Sequence, residues 1–226
     1  MIQLPKFLLF LVIGCVCYGF SFGLGLTSSP YNKNVEVSDS FGLKARADSA
    51  IVYCKKNGLS IKFCFLVDFS IHSGKKRFFI WDFEGDSVIC SSLCAHGYGK
   101  NSTRGNPVFS NVEGSYCSSL GHYKVGARSY SNWGIHAHYK LHGLESSNSN
   151  AFKRMIVLHS YGPVPCENIY PSHLPLGMSQ GCPVICNEAM RQADIMLKKE
   201  KAPVLLWIYN CCLLYTSPSP RDPKTS

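Results

Sequence analysis

Short apolar segments separated by turn residues fill the middle of the chain, and this pattern constrains the fold most. Between residues 61 and 160 the segments are rich in Val, Ile, Phe and Tyr, and Gly, Ser or Asn separate them. β-branched and aromatic side chains fit the pleated surface of a sheet, whereas Gly, Ser and Asn favour turns. The segment FEGDS at residues 83–87 predicts a hairpin. The pattern therefore predicts a mainly β fold, built as a sandwich or a barrel.

Two stretches interrupt the strand pattern and predict helices. Residues 40–57 carry apolar side chains at helical spacing, with Ser40 as the predicted N-cap and Gly58 as the stop. Residues 187–199 form a second amphipathic stretch, with Asn187 as the predicted N-cap. The run PVLLWIYN that follows predicts a buried closing strand. We therefore expect a mainly β domain with an N-terminal helix and one helix late in the chain.

The first 23 residues have the pattern of an export signal. Lys6 precedes a long apolar run, and small residues follow it. This arrangement is typical of a cleavable secretory signal. An uncleaved membrane anchor and a lipoprotein signal with Cys15 as the lipidated residue are the two alternatives. Each predicts an exported protein of the periplasm or cell envelope, with membrane contact only through the anchor or the lipid.

The chain divides into three further parts beyond residues 1–23. Residues 24–60 form an N-terminal helical segment, and residues 61–211 hold the strands and the second helix. Residues 212–226 contain CLLYTSPSPRD, which resembles the translation of a sequencing adapter joined to a broken reading frame. The alternative is a disordered tail rich in Pro and Ser. We expect residues 61–211 to form the functional domain.

The charge balance favours an anionic partner. The chain has 23 Lys and Arg against 14 Asp and Glu, a formal net charge of +9, and the basic excess persists without the leader and the tail. A basic exported domain suits an anionic polymer such as cell-wall material, or a membrane surface. No nucleic-acid partner is expected, because the longest basic run is KKR at residues 75–77.

An odd number of cysteines lies between the leader and the tail, so at least one thiol is unpaired within a single chain. Cys90 and Cys94, and likewise Cys182 and Cys186, are separated by one residue more than a CxxC pair. Zinc ligation by these four is disfavoured, because C-x3-C pairs are tolerated in zinc sites but are not their usual spacing. We expect most of the cysteines to be core residues or optional disulfide partners.

His159 and Cys182 are the strongest candidates for chemistry. His159 ends the apolar segment MIVLH, and Cys182 follows a loop rich in Pro and Gly, within the turn SQGC. A thiol needs a nearby base to become a nucleophilic thiolate near neutral pH, and an imidazole supplies one. Gly181 allows a tight bend that can point amide N–H groups at a developing oxyanion. From the pattern alone, a structural role for both side chains stays open.

The order HS followed by SQGC resembles the signature His…Ser-x-Gly-Cys of the L,D-transpeptidase catalytic domain, which has the YkuD-type fold. The similarity extends over residues 40–210 and predicts an L,D-transpeptidase-like β-sandwich. Further similar stretches are FLVDFS (65–70), KRFFIWD (76–82), AHGYGKNS (95–102), FSNVEGSYCSSLGHYKVG (109–126), LHGLE (141–145) and GCPV (181–184).

The resemblance implies a role for each residue of the signature. Cys182 would be the nucleophile, His159 its base, and the carbonyl of Ser160 the group that orients His159. The N–H groups of Cys182 and Gly181 would line the oxyanion hole. Ser179 would shape the turn beside the substrate.

The implied reaction is acyl transfer on peptidoglycan stem peptides. Cys182 would attack the amide before the terminal D-alanine of a tetrapeptide stem, release D-alanine and hold a thioester. An amine of a neighbouring stem would then form a cross-link, or water would complete an L,D-carboxypeptidase reaction. This chemistry implies no metal and no organic cofactor. Many family members carry Arg two positions after the cysteine, where this chain has Val184.

Two other functions stay open from the residues. His136 and His138 lie two positions apart on a predicted strand, and with His159 they could bind zinc in a hydrolase site. A non-catalytic cell-wall-binding module with the same fold is the other possibility. His96 and His142 each precede a glycine, which suits either a substrate contact or a turn.

Overall fold

A computed structural model describes residues 40–211 of the protein, so the predicted leader and tail lie outside the described residues. The described range contains two helices, α1 (Ser40–Asn57) and α2 (Asn187–Lys199). Within this range, no helix is long and apolar enough to cross a membrane. The strands are β1 (Phe63–Asp68), β2 (Phe78–Asp82), β3 (Ser87–Ser92), β4 (Cys94–Ala95), β5 (Gly121–Tyr130), β6 (Ala137–Gly143), β7 (Val157–Ser160), β8 (Val184–Ile185) and β9 (Leu205–Tyr209).

The nine strands form one mixed sheet in the order β3-β2-β1-β9-β5-β6-β7-β8-β4. β1 pairs with β9 in parallel, and β7 pairs with β8 in parallel, whereas the other neighbours are antiparallel. The predicted hairpin at residues 83–87 is confirmed, since it joins the antiparallel strands β2 and β3. The mainly β, sandwich-like fold with two helices is confirmed.

Helix α1 covers one part of the sheet, as its sequence pattern predicts. Its apolar stripe includes Ala47 and Ala50, which are at most 1% exposed. The stripe packs on side chains from β1, β2 and β9, among them Leu66, Phe79 and Leu205. These contacts remove apolar surface from water, which is the main force that fixes an amphipathic helix to a sheet.

The last strand is central in the sheet. β9 lies between β1 and β5, so both of its edges are hydrogen-bonded, and four of its five residues are buried. This position explains why LLWIY is apolar without alternation. Helix α2 packs Ala189, Met190 and Ala193 into the large core. The N-cap of α2 is Cys186, so the prediction of Asn187 as N-cap was wrong by one residue.

Candidate active site

The parallel pair β7 and β8 brings the two halves of the sequence signature together. His159 on β7 has Val184 on β8 as its Cα partner, and the N–H of His159 donates to the carbonyl of Pro183 at 3.5 Å. Cys182 comes immediately before this paired segment. The long loop leaves the C-terminal end of β7 and returns the chain to the start of that strand, where Cys182 lies beside Val157.

The turn before Cys182 requires glycine. Gly181 has φ of +118°, a conformation that side chains with a Cβ rarely adopt, and a Cβ there would lie 2.6 Å from the carbonyl oxygen of Cys117. The hydroxyl of Ser179 accepts from the N–H of Gly181 at 2.9 Å and donates to the carbonyl of Cys182 at 2.6 Å. Ser179 thus fixes the turn that presents Cys182.

These contacts bear on the roles that the resemblance implies for Gly181 and Ser179. The N–H of Gly181 is bonded inside the turn, so in this structure it is not directed at an oxyanion. Ser179 is 4% exposed and is hydrogen-bonded within the turn, so it positions Cys182 without facing a substrate. Within residues 40–211 the N–H of Cys182 donates to no other residue, which leaves it as the available oxyanion donor of this turn.

The sulfur of Cys182 rests against the backbone at the start of β7. The N–H of Val157 donates to Sγ at 3.4 Å, and the thiol lies 3.8 Å from the carbonyl of Met155. Val157 and His159 are two residues apart on one strand, so their side chains project from the same face of the sheet. The sulfur is therefore held beside the strand that carries the imidazole.

One ring nitrogen of His159 is hydrogen-bonded within the protein. Its Nδ1–H donates to the carbonyl of Ser160 at 3.1 Å. This bond selects the tautomer in which Nε2 carries a lone pair, so Nε2 is the nitrogen that can accept a proton. The Ser160 carbonyl lies where the family resemblance expects the group that orients His159.

Burial keeps both side chains neutral. Burial raises the pKa of the Cys182 thiol, and the Val157 N–H and the Arg154 guanidinium only partly oppose it. Burial also lowers the pKa of His159, against the opposing effect of the Ser160 carbonyl. A neutral thiol and a neutral imidazole suit general-base activation better than a preformed thiolate–imidazolium pair.

An open cleft of about 270 Å³ adjoins His159. His138, the Cα partner of His159 on β6, also lines it, and its Nε2 is buried without a hydrogen-bond partner within the described residues. Two exposed aromatic side chains, Tyr130 and Trp133, form another part of the wall. The cleft thus combines apolar surface with a few polar atoms, as binding sites commonly do.

Arg154 was not identified from the sequence, although it supports the Cys182 turn through contacts with residues outside that turn. Its guanidinium donates to the carbonyls of Ser110 and Cys117 at 2.9 and 2.5 Å, and to the hydroxyl of Ser119 at 2.6 Å. It also lies 3.3 Å from the position that a Cβ of Gly181 would occupy. Arg154 therefore ties the segment at residues 110–119 to the Cys182 turn. Its position directly before the segment MIVLH could have marked Arg154 as a candidate site residue.

The bonding of His96 favours a structural role over the substrate contact that the sequence left open. It is 5% exposed, and both ring nitrogens are bonded within the protein. Nδ1 accepts from the Arg77 guanidinium at 2.8 Å, and Nε2–H donates to the carbonyl of Thr103 at 2.9 Å. Burial, with the nearby charge of Arg77, lowers the pKa of His96 to about 4. No nitrogen of His96 is left for a substrate.

Neither His142 nor His136 lines the cleft beside His159. His142 stacks on Phe152 with ring centroids 4.9 Å apart and lines a different cavity, of about 340 Å³. His136 has φ of +58°, directs Nδ1 to the carbonyl of Ser131 at 3.2 Å and stacks on Tyr130. Within residues 40–211, His136, His138 and His159 do not form a group that could hold a metal ion. This geometry does not favour the alternative of a three-histidine zinc hydrolase.

A family model described as the L,D-transpeptidase catalytic domain matches residues 40–209. The chain belongs to this family, and the matched range includes α1, every described strand and the Cys182 turn. No curated protein matches the chain.

Two solved structures share low similarity with the chain. An L,D-transpeptidase from Xylanimonas cellulosilytica DSM 15894 has 11% identity and a TM-score of 0.38, with 66% of this chain and 61% of that chain covered. The helical cell shape determining protein Pgp2 from Campylobacter jejuni has 11% identity and a TM-score of 0.41, with 74% of this chain and 55% of that chain covered. The chain thus spans less than two thirds of the length of either structure.

Proposed function

We propose that the protein is an active cysteine acyltransferase that uses Cys182 as nucleophile and His159 as general base. One observation carries the proposal. The sulfur of Cys182 is held by the Val157 N–H at 3.4 Å, two residues from His159, and the Nδ1 of His159 is committed to the Ser160 carbonyl at 3.1 Å. This leaves the Nε2 lone pair as the base on the strand that holds the sulfur.

The proton moves from sulfur to His159 and then to the leaving group. Nε2 takes the thiol proton as the sulfur attacks the carbonyl carbon, so an S–C bond forms and the carbonyl oxygen becomes an oxyanion. The N–H of Cys182 would stabilise that oxyanion. Collapse of the intermediate breaks the C–N bond, and the imidazolium returns the proton to the departing amine. An amine or water then cleaves the thioester by the reverse proton path.

The proposed substrate is a peptidoglycan stem peptide that ends in D-alanine. Family membership supports peptidoglycan as the partner. The basic excess of the chain suits a polymer that bears carboxylates. Within the cleft, Tyr130 and Trp133 offer apolar surface on which a stem peptide can pack. Action on this polymer requires export, in keeping with the predicted leader.

Release of D-alanine from a disaccharide-tetrapeptide tests the proposal. The full chain should release D-alanine, and Cys182→Ala should abolish release because the nucleophile is gone. Cys211→Ala is the matched control, since this exposed thiol contacts Arg46 and Asp68 instead of the Cys182 turn. This control should keep the rate of the unaltered chain.

Two results would contradict the proposal. Release that survives Cys182→Ala would remove the thiol from the mechanism. No release from a folded chain, together with peptidoglycan binding that Cys182→Ala leaves intact, would instead support a non-catalytic wall-binding module. The buried Val184, at the position where many family members carry Arg, would then be the first residue to exchange.

A further inference from the structure

Three potential metal ligands converge at the start of α2, outside the Cys182 site. They are Cys166 from the loop between β7 and the Cys182 turn, Cys186 at the N-cap of α2, and Glu188 in its first turn. The two sulfurs and a carboxylate oxygen all lie within 4.8 Å of one another. Among the described residues, no other group of three or more such side chains comes together in this way.

The spacing suits a small, borderline-soft cation. Zinc binds sulfur at about 2.3 Å and carboxylate oxygen at about 2.0–2.2 Å, so tetrahedral ligands lie roughly 3.8 Å apart or less. Side-chain adjustments of about an ångström would bring these three atoms to that distance. Two cysteines and one carboxylate leave a fourth position, and Glu188 is exposed, so water can fill it.

The surroundings hold the ligands in place for a cation. The Cys186 side chain makes no capping hydrogen bond, which leaves its sulfur free of that role. Arg191 donates to one oxygen of Glu188 at 3.1 Å, while the other oxygen is hydrogen-bonded to the Cys166 thiol. Arg191 thus orients the carboxylate in the way that outer partners of metal ligands do. Its charge and the helix N-terminus also offset part of the negative charge of deprotonated ligands.

A bound cation would replace the thiol protons, because zinc is coordinated by thiolates. A disulfide between Cys166 and Cys186 would join only two of the three groups and would leave Glu188 paired with Arg191 alone. The three-way convergence therefore favours a cation over a disulfide.

We propose that Cys166, Cys186 and Glu188 bind one zinc ion, which fastens the loop at residues 161–181 to α2. The sequence analysis grouped Cys186 with Cys90, Cys94 and Cys182, but it is Cys166 and Glu188 that lie beside it. This loop joins His159 to Cys182, so the ion would limit the motion of the segment that sets their relative position. The ion takes no part in the proposed acyl transfer.

Metal titration of the full chain tests this site. The reduced, chelator-treated protein is titrated with Cd²⁺, which gives thiolate-to-metal ultraviolet absorption, and then with Zn²⁺ as competitor. We expect Cys166→Ser to lower the number of Cd²⁺ ions that bind to thiolates by one ion per chain. Glu188→Gln should weaken that binding at least about 10-fold. Glu167→Gln is the matched control, because this neighbouring carboxylate pairs with Lys76 and lies outside the cluster.

Thermal unfolding gives a second readout for the same variants. Zn²⁺ should raise the Tm of the unaltered chain and of Glu167→Gln, because a ligand that binds the folded state stabilises it. It should raise the Tm of Glu188→Gln less. Wild-type affinity in both Cys166→Ser and Glu188→Gln would overturn the proposal, as would a Cys166–Cys186 disulfide that forms in air and leaves no metal bound after reduction. Neither readout depends on D-alanine release, so this proposal and the proposed function can fail separately.

Discussion

His96 and His159 occupy similar places in the fold but have different bonding. His96 directly follows β4 and His159 lies near the end of β7, and burial lowers the pKa of each ring. In His96 both nitrogens are bonded, one to Arg77 and one to the Thr103 carbonyl. Among residues 40–211, the ring of His159 is hydrogen-bonded through its Nδ1 alone.

The difference indicates that the number of unused ring nitrogens separates a structural histidine from the proposed general base better than burial or strand position does. The Arg77 guanidinium is 1% exposed and also donates to the carbonyls of Cys94 and Ile71. His96 completes that buried network, and a buried polar network stabilises a fold only when its members are satisfied. His159 keeps one acceptor free, which a general base requires.

The largest expected effect is the loss of turnover in His159→Gln. Removal of a general base costs about 10²–10⁴-fold in rate. The melting temperature should change little, since only one neutral hydrogen bond, to the Ser160 carbonyl, is lost. D-alanine release and thermal unfolding measured on the same sample check this. A variant that unfolds but keeps its specific rate would assign His159 the structural role of His96.

Gly181→Ala should move the sulfur without touching either histidine. The φ of +118° and the carbonyl of Cys117 at 2.6 Å from a Cβ force the turn to shift. A misplacement of about 1 Å can cost on the order of 10²-fold in rate. Strain should lower the free energy of unfolding by about 1–3 kcal/mol. Gly162→Ala, where a Cβ meets open space, is the control, and equal rates in the two variants would show that the turn geometry is unimportant.

Arg77→Met should destabilise the fold, because it removes the donor to the Nδ1 of His96, to the buried carbonyl of Cys94 and to the partly buried carbonyl of Ile71. Each unsatisfied buried group costs about 1–3 kcal/mol. Urea unfolding measures the loss. Lys76→Met is the control, since Lys76 pairs with the exposed Glu167 and such surface pairs contribute about 1 kcal/mol or less. Equal losses in both variants would mean that the His96 network adds no stability.

The smallest effects concern pH. His96 has a folded pKa of about 4 against an ordinary value of 6.5, so its contribution to stability is complete above 6.5 and is lost as the pH falls towards 4. His96→Gln should flatten the pH dependence of unfolding in that window.

The rate of turnover should also depend on pH. Because the pKa of His159 is lowered from 6.5, the rate should rise with pH in the range below 6.5. A pH profile that rises only above pH 6.5 would contradict a neutral His159.

The sequence predicted the elements of the fold better than their arrangement. Period-two segments and the two amphipathic stretches gave α1, α2 and the hairpin correctly, because these depend on local patterns. The central position of β9 was not predicted, since the apolar run LLWIY fits any strand buried on both faces. Sheet order depends on contacts between distant segments, which periodicity does not record.

The candidate site shows the same division. The SQGC turn and the strand-end His159 were found from local signals. Both ring nitrogens of His96 are hydrogen-bonded, one to Arg77 and one to Thr103. The guanidinium of Arg154 donates to the segment at residues 110–119, which is distant in sequence. Cys166 and Glu188 meet across a loop without any motif spacing. Such contacts depend on tertiary structure, so residue patterns alone could not supply them.

Intact-mass spectrometry of the full chain during incubation with a disaccharide-tetrapeptide tests the central claim most directly. We predict an adduct with the mass of the substrate minus D-alanine, mapped to the peptide that contains Cys182 and absent from Cys182→Ala. Hydroxylamine should remove this adduct, because it cleaves thioesters. D-alanine release without any adduct at Cys182, or an adduct that persists in Cys182→Ala, would contradict the account.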